Sequence, residues 1–326
     1  MRAMVIDRFG GPEILRPADV ETPEPQPGEV LIRVAYAGVN PADWKCREGW
    51  LAQFFDYKFP FIVGFDAAGI VAGIGAGVNN YKIGDRVVTS SNQGIGDWGT
   101  YAEFVKSATD RVAHLADSVD FATAASIPTA AVTSWEALFD TGHLKTGQKV
   151  LIHGGAGGMG SFAIQFAKHI HADAAATCGP ANLDYVRGLG ADKVINYRSE
   201  NVLGALRAWA PDGVDLIIDT VGQGTLADGI DMVKPGGAIA PIGTLIKDEP
   251  QFDAAAAEKR DVRIIPTMSN RGRAGAQLRT IVDLFGHGRF RAPAIEVLPL
   301  EQAGEAHRRV KEGHVRGKLL LKVADL

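Results

Sequence analysis

Cysteine is scarce in this sequence: its 326 residues include only Cys46 and Cys178, which stand far apart. Two thiols cannot build a disulfide framework or a four-cysteine zinc site. Histidines at metal-binding spacing are also missing, because none of the eight histidines forms a His-x-x-x-His pair. This scarcity favours a reducing compartment, the cytoplasm, and gives no support for a metal centre.

A basic excess is absent as well. The chain has 34 Lys and Arg against 38 Asp and Glu, a formal net charge of -4, whereas nucleic-acid and membrane-surface binders usually carry a basic excess or stripe. Long apolar runs are missing too, since the segment 122–132 is broken by Ser126, Pro128 and Thr129 and is shorter than the roughly 20 residues of a membrane span. No charged region followed by an apolar run opens the chain. We therefore expect no nucleic-acid partner, no membrane partner and no export.

Glycine, by contrast, is abundant, with 39 residues in an otherwise ordinary globular composition. A chain of this length favours two domains. Short strand-like segments separated by Gly and Pro fill the first third: 28–39, 67–75, 85–89 and 101–105. Such spacing predicts a partly open β-barrel-like domain.

From about Pro128 the pattern changes, because strand-like segments now alternate with helix-length segments, as in βαβ units. The predicted strands are 150–153, 174–177, 194–196, 214–219 and 238–242, with 262–265 as an edge strand. About six such strands make a Rossmann, doubly wound parallel sheet. The predicted fold class is therefore α/β, with a Rossmann domain over 125–268. A partly open barrel-like catalytic domain would cover 1–124 and, by return of the chain, 269–326.

A glycine-rich loop follows the first strand of that sheet. The segment Gly154-Gly-Ala-Gly-Gly-Met-Gly160 contains G-x-G-x-x-G at Gly155, Gly157 and Gly160, and a helix-like segment follows at once. In this context Gly155 permits the tight turn, Gly157 lets the backbone approach a pyrophosphate, and Gly160 lets helix and strand pack closely. The helix N-terminus offers N–H groups to the phosphates. A dinucleotide is thus predicted on this loop, with Ala156, Gly158 and Met159 as further contacts.

The end of the second strand selects between the two nicotinamide cofactors. NAD-specific sites place Asp or Glu there to bind the ribose 2'-hydroxyl, whereas this chain has Ala176-Thr-Cys-Gly179. No carboxylate would repel a 2'-phosphate. Neutral hydrogen-bonding side chains that can reach phosphate oxygens are Thr177, Asn182 and Tyr197. NADPH is therefore the predicted cofactor.

Four further segments carry a family resemblance: Gly38-Val-Asn-Pro-Ala-Asp43, Gly84-Asp-Arg-Val87, Ile127-Pro-Thr-Ala-Ala-Val-Thr-Ser-Trp135 and Gly313-His-Val-Arg-Gly-Lys318. With the glycine loop, they resemble the medium-chain dehydrogenase/reductase superfamily, and within it the zinc-free quinone oxidoreductase branch that includes zeta-crystallin-like proteins. The resemblance covers essentially the whole chain.

Zinc alcohol dehydrogenases of that superfamily carry a ligand cysteine, a Gly-His-Glu triplet and a lobe with four cysteines. This chain has Asn40 in place of the cysteine, Gly64-Phe-Asp66 in place of the triplet, and no cysteine in 85–101. Without a Lewis acid, alcohol oxidation lacks its main electrostatic help. We expect no metal site, and an acceptor whose own conjugated system takes up charge.

The resemblance also implies roles for residues of the cofactor site. Asn40 and Thr133 are expected to approach the nicotinamide or its ribose, Gly243 and Thr244 to frame the ring, and Lys318 to touch the pyrophosphate. Lys45 is grouped with these cofactor-binding residues.

Candidate catalytic residues are Asn40, Asp43 and Tyr57. Asp43 is interpreted as orienting Asn40 or Lys45 rather than as an acid. Tyr57, in an aromatic-rich segment, is a possible proton donor, although such a phenol more often packs with a wet tip, and water is another proton source. Cys46 is interpreted as a packing residue.

The main hypothesis is an NADPH-dependent reductase of a quinone, an enone or an alkenal. An acryloyl- or enoyl-thioester reductase is an alternative, which would need a phosphate-binding basic patch at the cleft mouth; Lys45, Arg47 and Lys58 could contribute to it but do not form a convincing cluster. Another alternative is a non-catalytic NADPH-binding protein, crystallin-like or RNA-binding, with salt-sensitive nucleic-acid affinity. A homodimer is also predicted, because 262–265 alternates like an edge strand whose backbone groups need partners.

Overall fold

The computed structural model describes residues 1–54, 56–91, 96–222, 225, 228–242 and 253–326. The chain divides into two compact units: unit 1 is Met1–Val132 with Arg271–Leu326, and unit 2 is Thr133–Asn270. The assignment of substrate binding to one unit and cofactor binding to the other stays a prediction. Over the described ranges, no helix combines the length and the apolar character needed to cross a membrane.

The strands are β1 (Arg2–Ile6), β2 (Arg16–Asp19), β3 (Glu29–Gly38), β4 (Phe61–Ile62), β5 (Asp66–Ile74), β6 (Arg86–Ser90), β7 (Phe104–Ala108), β8 (Val112–His114), β9 (Lys149–His153), β10 (Asp173–Cys178), β11 (Lys193–Asn196), β12 (Val214–Asp219), β13 (Val233–Pro241), β14 (Arg263–Ile264), β15 (Ile295–Pro299) and β16 (Lys318–Lys322). The helices are α1 (Pro41–Arg47), α2 (Phe121–Ala125), α3 (Pro128–Trp135), α4 (Gly158–His169), α5 (Leu183–Gly188), α6 (Val202–Trp209), α7 (Gly229–Met232), α8 (Ala254–Lys259), α9 (Arg271–Gly286) and α10 (Ala303–Glu312).

Unit 2 contains a six-stranded parallel sheet in the order β11-β10-β9-β12-β13-β14. Parallel strands buried on both faces read as continuous apolar runs, and the central strands show this: Leu151, Ile217 and Ile239 are fully buried. The order is that of a doubly wound sheet, in which ligands bind at the carboxyl ends of the strands. The predicted Rossmann sheet is confirmed, with β14 at its edge.

Unit 1 is built on an open mixed sheet rather than a closed barrel. Its path is β15-β16-β3-β5-β6-β8, with β7 also on β3, and a second sheet has the order β2-β1-β4. The pairs are antiparallel except β15 with β16. The strand expected at 101–105 lies instead at 104–108, because Ala102 forms an isolated bridge to Ala3 of β1. The expected α/β class with a partly open β domain is confirmed.

Candidate active site and cofactor site

The glycine loop of unit 2 joins β9 to α4 and leaves no room for side chains at two positions. A Cβ on Gly155 would lie 2.7 Å from the Cβ of Ala176, and a Cβ on Gly160 would lie 2.3 Å from the carbonyl oxygen of Gly154. At Gly157 the nearest atom would be 3.5 Å away. Gly155 and Gly160 therefore let strand, turn and helix pack, while the backbone at Gly157 stays approachable. This arrangement fits a pyrophosphate at the helix N-terminus.

Hydrogen bonds within unit 2 hold the loop in this shape. The Gly155 N–H donates to the carbonyl of Thr177 at 2.9 Å, and the Gly157 N–H donates to that of Gly154 at 3.0 Å. The hydroxyl of Ser134 donates to the carbonyl of Met159 at 3.0 Å. Gly158 begins α4, and Ala156 is buried. The predicted loop residues thus share one rigid strand-to-helix turn.

Thr177, at the end of β10, turns its hydroxyl into the protein. Its Oγ1 accepts from the Gly154 N–H at 3.2 Å and lies 3.3 Å from Nδ1 of His153. The side chain is buried. Thr177 therefore stabilises the start of the glycine loop, and its hydroxyl is already occupied by protein groups.

Tyr197 is the exposed aromatic residue beside the same strand end. It is 42% exposed, and a Cβ built on Gly179 would lie 3.6 Å from its hydroxyl oxygen. The guanidinium carbon of Arg198 lies 5.2 Å from the centre of the Tyr197 ring. Asn182 closes the adjacent turn, its N–H donating to the Gly179 carbonyl at 3.0 Å. A phenol and a guanidinium thus flank a strand end that carries no carboxylate.

Arg198 was not singled out from the sequence, because it follows β11 and not β10. Arg198 follows the strand that lies next to β10 in the sheet. Strands β10 and β11 are parallel neighbours with Cys178 opposite Asn196, so residues that follow both strands emerge at one edge of the sheet. A parallel-sheet prediction could have placed Arg198 there.

Asn40 of unit 1 is fixed at the start of α1. Pro41 occupies the first turn, where its fixed φ and missing N–H are tolerated. Two residues later Asp43 accepts the Asn40 backbone N–H on Oδ2 at 2.7 Å, an arrangement found in capping boxes. The predicted role of Asp43 in orienting Asn40 thus has a direct hydrogen bond behind it.

The Asn40 side chain is held between two buried charged groups. Its Nδ2 donates to Asp66 Oδ2 at 2.8 Å, and its Oδ1 accepts from Lys318 Nζ at 2.5 Å. We call Asn40, Asp43, Asp66 and Lys318 the buried polar cluster. Asn40 caps α1, the other three members come from α1, β5 and β16, and all four are buried.

Lys318 and Asp66 form the ion pair of this cluster, with Nζ 3.9 Å from Oδ2. Burial lowers the pKa of Lys318, while Asp66 and Asp43 oppose that shift. Burial raises the pKa of Asp66, and Lys318, Thr129 and Asn40 oppose it. Lys318 also donates to the Val39 carbonyl at 3.0 Å. Its expected contact with a pyrophosphate stays a prediction.

Asp43 is fully buried and receives three donors. Besides Asn40, the Phe65 N–H donates to Oδ1 at 3.1 Å and the Tyr101 hydroxyl donates to Oδ2 at 3.1 Å. Burial, together with Asp66, raises the pKa of Asp43 to about 7, against the opposing effect of the hydrogen bonds from Asn40 and Tyr101 and of Lys318. Its partner Tyr101 was not singled out from the sequence.

Tyr101 is the first member of a buried chain that leads away from Asp43. Its hydroxyl oxygen lies 3.0 Å from His307 Nε2, and His307 Nδ1 lies 3.2 Å from Arg47 Nη1. Arg47 in turn pairs with Glu48. We call Arg47, His307 and Tyr101 the donor chain. His307 begins the charged run 307–312, which by its composition is expected on the solvated face of a helix, but that residue is fully buried.

The other residues predicted to bind the cofactor are Lys45, Thr133, Gly243 and Thr244. The Lys45 ammonium lies 5.7 and 5.8 Å from the ring centres of Trp44 and Trp50. Thr133 is buried in α3. Gly243 and Thr244 lie outside the described residues.

The Tyr57 hydroxyl is hydrogen-bonded to a thiol. The Cys46 Sγ–H donates to the Tyr57 hydroxyl at 3.2 Å, and the Tyr57 ring packs edge-on against Phe9 and Phe61. Burial raises the pKa of Tyr57 above its usual value, which makes the phenol a weaker acid. Its role as proton donor stays a prediction, and Cys46 packs as expected.

The donor set around Asn40 does not fit a zinc ion. Asn40 is already bonded to Asp66 and to the Lys318 ammonium, and Phe65 offers no ligand atom on its side chain. A zinc ion there would meet a fixed cation, whereas zinc sites need three or four Cys, His or carboxylate ligands. Nor do the described ranges contain a group of three or more such residues that could hold a metal.

Comparison with known proteins places the chain among oxidoreductases. Residues 26–117 match the alcohol dehydrogenase GroES-like domain and residues 189–321 match a zinc-binding dehydrogenase domain. The human mitochondrial NAD(P)H oxidoreductase RTN4IP1 is 31% identical, over 99% of this chain and 89% of its own. The quinone oxidoreductase of Pongo abelii is 29% identical, over 98% and 97%. The chloroplastic NADPH-dependent alkenal/one oxidoreductase of Arabidopsis thaliana is 29% identical, over 98% and 79%.

Similar solved structures include quinone oxidoreductases and an alcohol dehydrogenase. A quinone oxidoreductase from Coxiella burnetii superposes with a TM-score of 0.85 at 32% identity, covering 99% of both chains. An Escherichia coli quinone oxidoreductase complexed with NADPH gives 0.87 at 25%, over 99% of this chain and 100% of that one. An NAD-dependent alcohol dehydrogenase gives 0.90 at 30%, over 99% and 100%. These comparisons confirm the expected family and reaction class: the chain is an oxidoreductase that belongs to the quinone oxidoreductase branch of the medium-chain dehydrogenase/reductase superfamily.

Proposed function

We propose that this protein uses NADPH to reduce a quinone, an enone or an alkenal by hydride transfer without zinc. The observation that carries the proposal is the surface beside Gly179, where the end of β10 lacks the carboxylate expected of an NAD site and Tyr197 lies close by, with Arg198 against its ring. A phenol can donate to a 2'-phosphate oxygen, and a guanidinium is the strongest common partner for phosphate. Residues 176–179 include no Asp or Glu that would bind a free 2'-hydroxyl.

Relatives support the choice of cofactor. The Arabidopsis relative is named NADPH-dependent, and a mycobacterial structure at TM-score 0.88 was also solved with NADPH. NADPH, when bound, supplies the hydride. The comparisons therefore confirm NADPH as the expected cofactor. A strict preference for NADPH over NADH is part of the proposal.

The main contribution of the protein to this reaction is to position the reacting groups. The Asn40 amide has one orientation, because its oxygen faces the Lys318 ammonium and its nitrogen faces Asp66. Such a pre-oriented amide can fix the reacting groups without reorganising during the reaction. Quinones and conjugated carbonyls accept charge into their own π-systems, so a metal is not required. Tyr57 or water then supplies the proton.

Product analysis tests the hydride step. With NADPH deuterated at both C4 positions, an enone product should gain one deuterium on carbon, measured by mass spectrometry. A product without deuterium, despite oxidation of the cofactor, would contradict hydride transfer to the C=C bond. Repeating the reaction in deuterated water with ordinary NADPH should label the adjacent carbon and so locate the proton.

The thioester alternative needs an exposed basic patch, and Lys45, Arg47 and Lys58 do not form one. Lys45 lies between tryptophan rings, Arg47 is fully buried beside Glu48, and of the three expected cations Lys58 alone is exposed. One exposed lysine is a weak site for a coenzyme phosphate. No observation favours the non-catalytic alternative over the reductase.

Assembly and location are further parts of the proposal. β14 forms the edge of the unit 2 sheet, and an edge strand offers backbone groups to a second copy. We propose a homodimer through this edge, which a monomeric mass by light scattering would contradict. The cytoplasm remains the proposed location, although some relatives are named as mitochondrial or chloroplastic.

A further inference from the structure

The donor chain has a hydrogen-bond direction that one residue fixes. Arg47 is always protonated and has no acceptor atom. Its Nη1–H therefore donates to His307 Nδ1, 3.2 Å away, and this nitrogen must be unprotonated. A neutral imidazole then carries its proton on Nε2.

The direction continues to the carboxylate. His307 Nε2–H donates to the Tyr101 oxygen at 3.0 Å, and the Tyr101 O–H is left to donate to Asp43 Oδ2 at 3.1 Å. Asn40 and Phe65 also present N–H donors to Asp43. All three partners of this carboxyl thus donate, which is the pattern that an ionised carboxylate requires.

A protonated Asp43 would conflict with the same geometry. A proton on Oδ2 would have to point at Tyr101, Tyr101 would then donate to His307 Nε2, and the ring proton would move to Nδ1, against Arg47 Nη1–H. Two donors would face each other in a fully buried place. An unmade hydrogen bond of a buried charged donor is costly, so the chain opposes protonation of Asp43.

We propose that Arg47, acting through neutral His307 and Tyr101, holds Asp43 in its ionised form and so fixes Asn40 for hydride transfer. The three residues of the donor chain are positioning residues, and Asp43 positions Asn40 through its backbone N–H. The proposal rests on the function proposed above for Asn40. It adds a specific hydrogen-bond direction that runs from the end of α1, through α10 and Tyr101, to Asp43 near the start of α1.

Charged and titratable groups face Asp43 from several elements. Asp66 of β5 raises its pKa, whereas Lys318 of β16 and the Tyr101 hydroxyl lower it. Burial lowers the pKa of His307 to about 3, with Arg47 acting in the same direction. The imidazole therefore stays neutral throughout the usual assay range, and Asp43 is the group whose protonation would change.

Nitrogen NMR tests the direction without any assay of activity. In protein labelled with 15N-histidine, the His307→Gln variant identifies the His307 signals by their loss. We expect Nε2 protonated and Nδ1 unprotonated at pH 8 to 9, above the pKa of Asp43. A ring protonated on Nδ1, or on both nitrogens, would overturn the proposal.

Two substitutions at His307 form a matched pair. In His307→Gln, the amide oxygen can accept from Arg47 and the amide nitrogen can donate to Tyr101, so the direction is kept. In His307→Ala both contacts are lost. We expect kcat within about threefold of the wild type for Gln and at least about tenfold lower for Ala, as estimated from the loss of hydrogen bonds to charged groups. Equal losses in both variants would contradict the proposal.

The pH profile of Tyr101→Phe separates positioning from packing. Loss of the hydroxyl removes one donor to the carboxylate, so the acid limb of kcat should move upward by about one pH unit or more. A purely structural role would lower kcat equally at all pH values, and an unmoved limb would contradict the proposal. If this variant fails to fold, the NMR measurement still decides.

The outcomes also separate the proposal from the function on which it rests. A wild-type protein that turns over none of the acceptors would refute the proposed function, while the His307 tautomer would still report the direction of the chain. Turnover with the wrong tautomer or an unmoved acid limb would refute this inference alone.

Discussion

The glycine loop and the buried polar cluster hold their shapes by different means. The loop is seven consecutive residues, 154–160, and its shape depends on backbone contacts that exclude side chains. The cluster depends on side chains brought together from distant positions, since Asn40 and Lys318 are 278 residues apart. A site made of backbone can be recognised in a short pattern, whereas a site made of paired charges depends on the whole unit being folded.

The largest effect should come from breaking the ion pair of the cluster. Lys318→Met leaves the Asp66 carboxylate buried without its cation. Breaking a buried pair by removing one partner typically costs about 3–5 kcal/mol, so we expect the free energy of unfolding to fall by that amount in urea titrations.

A double variant provides the control for this prediction. Lys318→Met with Asp66→Asn removes both charges, so it should recover part of the loss. A double variant less stable than the sum of the single losses would show that the pair is not the stabilising contact.

A substitution in the glycine loop should weaken the binding of the cofactor. Ala at Gly160 would place its Cβ 2.3 Å from a backbone oxygen, and overpacking of this kind costs about 1–3 kcal/mol. We expect NADPH affinity, measured by fluorescence titration, to fall by one to two orders of magnitude on that estimate. Gly188→Ala is the matched control, since a Cβ there meets nothing within 4 Å. Similar losses in both variants would contradict the assigned role of Gly160.

Stability against pH can resolve two groups of unit 1 whose effects oppose each other. Burial raises the pKa of Asp43 from 3.8 to about 7, so its stabilising contribution is full below pH 3.8 and is lost as the pH rises through 7. Burial lowers the pKa of His307 from 6.5 to about 3, so its contribution is full above pH 6.5 and is lost as the pH falls through 3. Between pH 3.8 and 6.5 the two contributions to the free energy of unfolding change in opposite directions. Each changes by about 1.4 kcal/mol per pH unit, so they should cancel.

Single variants should reveal each slope. Relative to the wild type, His307→Gln should lose stability as the pH rises from 4.5 to 6.5, a window within the cited limits, and Asp43→Asn should gain it. Denaturant unfolding at three pH values measures both. Slopes of the same sign in the two variants would refute the assignment.

The smallest expected effect concerns cofactor preference at the edge of unit 2. Tyr197→Phe removes a hydroxyl beside Gly179, and a hydrogen bond to a charged group is worth about 1.5–3 kcal/mol. Because Tyr197 is 42% exposed, we expect the low end, a rise of about tenfold in KM for NADPH and none for NADH. Tyr81→Phe, which loses a hydroxyl bonded to the Val112 carbonyl, should leave the preference unchanged.

The same contrast explains what could be predicted from the sequence. The Rossmann strands and the glycine loop follow from local patterns, because hydrophobic runs, glycine spacing and the following helix lie within a few residues of one another. The capping of Asn40 by Asp43 was also accessible, as the two stand three residues apart.

The partners of Asp43 were not accessible from local patterns. His307 belongs to a run rich in Arg and Lys, and a helical pattern alone assigns that run to solvent. Its burial depends on α10 packing against α1, a contact between segments more than 250 residues apart. Arg198 follows β11, and only the pairing of β10 with β11 brings it near the end of β10.

The most direct test of the account is parallel measurement of NADPH and NADH oxidation with a quinone, an enone and an alkenal, in buffer containing a metal chelator. The account predicts turnover of at least one acceptor, a rate unchanged by the chelator, and kcat/KM for NADPH at least about tenfold above that for NADH, equivalent to about 1.4 kcal/mol. Binding of NADPH without turnover of any acceptor, or loss of activity with the chelator, would contradict it.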